Sequence, residues 1–163
     1  MPDVISNTSP LQYLHQIGHL ALLESLAGRV IVPAAVRREL DDGRIQGVDL
    51  PDVTKLPWIE VCAAEPSKLL AAGDLGPGET EVLSLGLSSA DPLLILDDAL
   101  ARQVALAHHL AIRGTLGILL DAKHAGLIAE VRPLIDRLQA LGFRLSKETR
   151  AAVLRLAKEA SVS

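Results

Sequence analysis

Two adjacent carboxylates, Asp97 and Asp98, follow directly on the apolar run Leu93-Leu94-Ile95-Leu96. Four large aliphatic residues in a row read as a strand buried on both faces of a parallel sheet, and acids at its carboxyl end open into the crevice where open α/β sheets bind ligands. A single Asp after a strand is also a common helix N-cap, but one helix takes one cap, so a doublet leaves a carboxylate over. Other polar residues fall at matching places. Asn7 closes the strand candidate Asp3-Val4-Ile5-Ser6, Glu39 lies in the helix after the second strand, Glu79 opens the helix that leads to the Leu93 strand, and Thr115 follows the fifth strand. Acids brought together from such distant positions repel one another unless a cation neutralises them, and oxygen donors select a hard one, Mg²⁺ or Mn²⁺.

Each of these residues also has a plainer explanation. Glu79 in a first helical turn is stabilised by the helix dipole, Glu39 is an ordinary exposed helix position, and Asn7 begins the turn Asn7-Thr8-Ser9. His108, His109 and His124 lack a recurring ligand spacing. Arg37, Arg38 and Arg102 read as solvated charge, although Arg102 lies one turn after Asp98 and within reach of a bound phosphate.

The elements that must position these groups alternate along the chain. Strands are expected at 3–6, 29–32, 58–61, 93–96 and, weakly, 110–113. Ser9, Pro10 and Gln12 predict a capped helix start, with Leu11 and Leu14 on one face until Gly18, and Leu20, Leu23 and Leu26 mark a second helix closed by Gly28. Pro33 opens a helix with Val36 and Leu40 on its buried side, ended by Asp41-Asp42-Gly43. A loop covers 44–57 and a short helix is expected near 67–72. Gly76-Pro77-Gly78 launches the helix that carries Glu79, with Val82, Leu83, Gly86 and Leu87 inside. The helix after Asp98 repeats Leu100, Val104 and Ala107, and further helices are expected at 116–123, 131–141 and, capped by Ser146, 146–159. Strand–helix alternation implies a parallel sheet covered on both faces, and right-handed crossovers bring all strand carboxyl ends to one edge.

Composition narrows the function. The 163 residues suit one domain, spanning 1–163 with helices closing the chain from about residue 130, and the formal charge of -4 gives no overall electrostatic grip on nucleic acid. Tyr13, Trp58 and Phe143 are the only aromatics, which argues against recognition by serial base stacking, and Cys62 is the only cysteine, which leaves no disulfide or thiolate cluster. No apolar run is long enough to span a bilayer and the N-terminus does not read as a signal peptide, so a cytoplasmic protein without membrane attachment is expected.

Five segments, in order, resemble PIN-domain proteins: Val4-Ile5-Ser6-Asn7-Thr8-Ser9-Pro10-Leu11, Val32-Pro33-Ala34-Ala35-Val36-Arg37-Arg38-Glu39-Leu40, Gly78-Glu79-Thr80-Glu81, Leu94-Ile95-Leu96-Asp97-Asp98-Ala99-Leu100-Ala101-Arg102 and Gly114-Thr115-Leu116-Gly117. The similarity is greatest to the branch described as predicted nucleic-acid-binding and related to VapC-type toxins, and it runs to about residue 155. It implies a three-layer α/β/α fold with a short, mainly parallel sheet of about five strands, and a Mg²⁺- or Mn²⁺-dependent endoribonuclease. By position the family's acids fall on Asn7, Glu39, Glu79 and either Asp97 or Asp98. The resemblance also implies that Glu39, Glu79, Asp97 and Asp98 hold metal, and that Thr8, Ser9, Arg38, Arg102 and Thr115 meet substrate or assist near the metal. It further implies an RNA substrate and a toxin-like role with an antitoxin protein encoded nearby. A homodimer is expected, with Val153, Leu156 and Ala160 as one candidate contact stripe. Asn7 departs from the pattern: an amide oxygen ligates a hard cation but brings no charge and cannot act as a base. The alternative is therefore a weakly active or inactive PIN fold that binds RNA or protein. A receiver- or flavodoxin-like domain is disfavoured because no Gly-rich loop follows the first strand.

Overall fold

The computed structural model describes residues 3–70 and 73–160. Among them, five strands pair in parallel in the order β3-β2-β1-β4-β5, where β1 is Asp3–Ser6, β2 Val30–Pro33, β3 Ile59–Cys62, β4 Pro92–Ile95 and β5 Ala111–Arg113. Eight α-helices flank the sheet: α1 Thr8–Gln16, α2 Ala21–Ala27, α3 Ala34–Ile45, α4 Pro77–Ser88, α5 Ala99–Ala107, α6 Thr115–His124, α7 Arg132–Ala140 and α8 Lys147–Leu156. The three-layer α/β/α architecture expected from the alternation is present. The chain winds outward from β1 through β2 to β3, then returns to lay β4 against the opposite side of β1. At such a reversal the flanking connections part to opposite faces of the sheet and leave a crevice beyond the strand ends. Among the described residues no helix is long and apolar enough to cross a membrane.

Register explains the core. Val4 lies beside Leu93, Ile5 beside Leu94 and Ser6 beside Ile95. Side chains alternate along a strand, so Ile5 and Leu94 share one face of the sheet while Val4, Leu93 and Ile95 share the other. On the first face α4 packs over β1, β2 and β4 and against α3 and α5; elsewhere α6 packs with α2 and α8. Ile5, Leu94, Leu83 and Leu119 are fully buried, so an aliphatic core without aromatic residues at its centre fills the sandwich.

Several boundaries differ from the sequence expectation. Helix α1 begins at Thr8 with Asn7 in the cap position, and neither a Ser9 cap nor a Gln12 capping box forms, because the helix starts immediately after the strand. Helix α3 runs through Asp41-Asp42-Gly43 to Ile45, supported by the pairing of Asp41 with Arg37 and Arg44. The expected loop contains a 3₁₀ turn, Val53–Lys55, capped by Asp52. The helix anticipated near 67–72 is a turn at 68–70, and its last two residues lie outside the described ones. In α5 the buried positions are Ala101 and Ala105, while Leu100 is 41 % exposed, so small side chains rather than large ones face inward. The anticipated stripe on α8 also divides: Val153, Leu154 and Ala157 enter the core, Leu156 is 61 % exposed and Ala160 lies beyond the helix. That set of residues does not form one contact face.

One carboxylate fastens the C-terminal helix. Glu159, with a side chain only 9 % exposed, accepts hydrogen bonds from Lys123 Nζ at 2.8 Å, from the Val131 amide at 2.8 Å and from the Arg132 amide at 3.0 Å. Burial alone would raise its pKa, but the Lys123 bond and the two backbone amides outweigh it and hold the carboxyl below its ordinary value. A depressed folded-state pKa contributes stability above pH ~4.5, and that contribution disappears as pH falls through the folded value. Glu159→Gln should therefore cost about 2 kcal/mol in urea unfolding at pH 7. The gap from the unsubstituted protein should narrow as the buffer is taken towards pH 3.

Candidate functional site

At the carboxyl edge Asn7 and Glu39 form one half-site and Asp97 with Thr115 a second, on opposite sides of the sheet, while Asp98 and Glu79 belong to neither. Alternation along β1 places Asn7 on the side of Ile5, and there it meets the start of α4. The Glu39 Oε1 atom accepts from the Gly78 amide at 3.1 Å, and the Thr8 hydroxyl donates to Glu39 Oε2 at 2.5 Å. A Cβ on Gly78 would lie 2.8 Å from Glu39 Oε1, 3.0 Å from Glu39 Oε2 and 3.1 Å from Asn7 Oδ1. Glycine at this position is what lets both side chains close on the helix start. Asn7 is buried, and its Oδ1 has no hydrogen-bond partner among the described residues. A buried, unpaired carbonyl oxygen is costly unless a ligand satisfies it, so its position beside a carboxylate fits a hard cation.

The second half-site lies on the α6 side. Asp97 Oδ1 accepts from the Thr115 amide at 2.8 Å and Oδ2 from the Thr115 hydroxyl at 2.6 Å. Thr115 is fully buried. Arg102 Nη1 donates to the Leu96 carbonyl at 2.9 Å. The same guanidinium nitrogen and Asp97 Oδ1 lie 2.8 and 3.0 Å from the place a Cβ on Gly114 would take. Burial holds the Asp97 carboxyl above its usual range, although both Thr115 bonds and the Arg102 charge favour the ionised form. A carboxylate that is costly to ionise without a counter-ion suits a cation ligand, and each oxygen keeps a lone pair beyond its Thr115 bond.

Asp98 behaves differently from its neighbour. Its Oδ2 accepts from the Ala101 amide at 2.9 Å, which makes it the N-cap of α5, and it is exposed. Glu79 follows Gly78 in the first turn of α4, and its Oε2 lies 2.7 Å from the Cβ position of Gly76. Glu79, Ser9, Asp97, Asp98 and Arg102 line a common cleft of about 620 Å³. Asn7, Thr8 and Glu39 do not line it, and Arg38 reaches instead towards Glu81 at 3.5 Å. Among the described residues no three or more His, Cys, Asp or Glu side chains group closely enough to hold a metal by themselves.

Three participants were not singled out from the sequence. Glu81 Oε1 accepts from the Ala35 amide at 3.0 Å and so satisfies the start of α3, the helix that carries Glu39. Arg113 and Arg144 both line the cleft. The guanidinium of Arg113 is paired with Asp121 through two bonds, at 3.0 and 2.5 Å. Glu81 was within reach of sequence reasoning as a second acid in the Gly78-Glu79-Thr80-Glu81 segment, whereas Arg144 lies in an interhelical turn with no periodic signal.

A family model described as PIN domain matches residues 3–159. No curated protein matches the chain.

Two substitutions separate site geometry from folding. Gly78→Ala drives a Cβ into the flexible Glu39 carboxylate and the Asn7 amide, so the protein should stay folded by circular dichroism while Mn²⁺ heat in titration calorimetry falls sharply. For Asp97 the sign runs the other way from Glu159: a raised folded pKa gives stability present below pH ~3.8 and lost as pH rises through the folded value. Asp97→Asn retains an acceptor for the Thr115 amide and supplies a donor to its hydroxyl. In EDTA at pH 7 it should unfold at an equal or higher urea concentration than the unsubstituted protein, and added Mn²⁺ should stabilise it less.

Proposed function

Since the chain belongs to the PIN-domain family, whose fold is of nuclease type, we propose that it is a Mg²⁺- or Mn²⁺-dependent endoribonuclease that hydrolyses RNA phosphodiesters to a 5′-phosphate and a 3′-hydroxyl. The observation that carries this reading is the buried, unpartnered Asn7 Oδ1, which lies with the Glu39 carboxylate against the start of α4 at Gly78. In this reading Asn7 and Glu39 hold metal from the α4 side, Asp97 from the α6 side, and Glu79 closes the gap at the start of α4. A bound divalent ion supplies Lewis acidity at the scissile phosphate and an acidified water.

The protein's own groups supply orientation. Thr8 and the Gly78 amide fix the Glu39 carboxylate, and Thr115 fixes Asp97 through both oxygens. Arg102, held by the Leu96 carbonyl beside Asp97, meets a substrate phosphate entering the cleft and offsets part of its charge. Ser9 lies on the same wall and contributes a hydroxyl donor. Asp98 is assigned to capping rather than to the metal.

A second reading, a weakly cleaving or non-cleaving module that binds RNA or protein, draws support from two observations. Asn7 brings no negative charge, and no compact group of three ligating side chains forms among the described residues. The toxin-like role, the antitoxin encoded beside the gene, the homodimer and the cytoplasmic location rest on the sequence resemblance and are proposals of the same standing. The reading frame next to this one tests the first two.

Cleavage assays on single-stranded RNA with Mn²⁺ or Mg²⁺ decide between the readings. Glu39→Gln, Glu79→Gln and Asp97→Asn should each lower the rate by about 10²-fold or more. Asp98→Ser, which preserves a capping oxygen, should leave it near that of the unsubstituted protein. Equal activity in the three acid variants would defeat the nuclease assignment, and loss of activity in Asp98→Ser with a native fold would move the metal role to Asp98.

A further inference from the structure

The cleft that receives Glu79 and Asp97 has a second wall, built from Tyr13 of α1 and from Gly142, Phe143, Arg144 and Leu145 in the turn between α7 and α8. The chain has three aromatic residues, and two of them meet here, far from one another in sequence. The Tyr13 and Phe143 rings pack edge to face, with centroids 5.1 Å apart and planes at 88°. Both are only partly buried, so the pair closes the top of the core and still presents ring surface to the cleft.

Beside this pair the charge is positive. Arg113 is neutralised by Asp121, but Arg144 directly follows Phe143 and is exposed on the cleft. An aromatic surface next to a guanidinium matches one nucleotide unit, a base on the ring and a phosphate on the cation. The cleft volume of about 620 Å³ falls within the roughly 300–1,000 Å³ usual for ligand sites, and Glu79, Asp97 and Asp98 line the same cleft.

Resting on the nuclease reading, we propose that Tyr13, Phe143 and Arg144 form a nucleotide subsite for single-stranded RNA. An unpaired base packs on the Tyr13–Phe143 pair and its phosphate contacts Arg144, so that a neighbouring phosphodiester is presented to Asp97 and Glu79. Inside a duplex both faces of a base are covered by its stacked neighbours, which makes the subsite selective for single strands. This location differs from serial stacking along a sheet: one aromatic pair anchors one base, and the few aromatics of the chain suffice.

The test uses the full chain in EDTA and a fluorescein-labelled single-stranded RNA of about 12 nucleotides, followed by anisotropy. Phe143→Leu keeps an apolar side chain under the turn but removes the ring, and should weaken binding about tenfold, as should Phe143→Ala. Arg144→Ala should weaken binding and reduce the slope of log K against log salt by about 0.7, the value for one phosphate contact on a single strand. The same sequence as a duplex should bind more weakly than the single strand. With Mn²⁺ present, Phe143→Leu should raise KM and leave kcat nearly unchanged. A natively folded Phe143→Leu protein with unaltered affinity overturns the subsite, whether or not RNA is cleaved, and so does the absence of RNA binding by the unsubstituted protein. Affinity lost in Phe143→Leu, in a protein that never cleaves RNA, upholds the subsite and removes the nuclease reading.

Discussion

The structure turns on the reversal of winding beside β1. Strands added to one side and then to the other leave β1 and β4 as neighbours whose following segments depart on different faces of the sheet. The start of α4 at Gly78 and the start of α6 at Thr115 reach the residues that follow these two strands, one on each side of the sheet. The backbone still pairs at the rim, where the Asn7 amide donates to the Ile95 carbonyl and the Leu96 amide to the Arg113 carbonyl. Side chains beyond this point must find partners across the crevice or from a ligand.

The two half-sites answer that requirement in different ways. Asp97 is satisfied within the protein by Thr115, at the cost of partly burying a carboxylate. Glu39 is satisfied by Thr8 and the Gly78 amide, but the Asn7 oxygen next to it is left without a partner. An unpaired buried oxygen costs on the order of 1–3 kcal/mol, an expense usually tolerated where a ligand recovers it. The pleat accounts for the separation of the halves: consecutive strand residues point to opposite faces, so groups ending adjacent strands at different parity reach different helices.

Distant elements hold this arrangement. Glu81 satisfies the start of α3, which carries Glu39, so α4 orients that helix as well as presenting Gly78 and Glu79. The Glu159 lock fixes α8 to α6 and to the start of α7. Residues Ser146, Thr149 and Val153 of that segment form part of the cleft wall, so a bond network near the end of the described chain shapes the space in front of Asp97.

By itself the sequence determined the class of fold, the order of the elements and the residues that end the strands. Period-two and period-3.6 apolar patterns are local, and a run such as Leu93-Leu94-Ile95-Leu96 has few stable homes other than an interior strand. It did not determine which aspartate caps and which faces inward, because both follow the same strand and the choice depends on Thr115, eighteen positions later. Nor did it yield the phase of α5, where Ala101 and Ala105 rather than Leu100 turn inward once Asp98 sets the helix start. The division of the acids into two halves, the open oxygen of Asn7 and the meeting of Tyr13 with Phe143 were decided by tertiary structure alone. Each depends on where crossover helices dock on the sheet, and that docking is a property of the whole packed core, not of any segment in it.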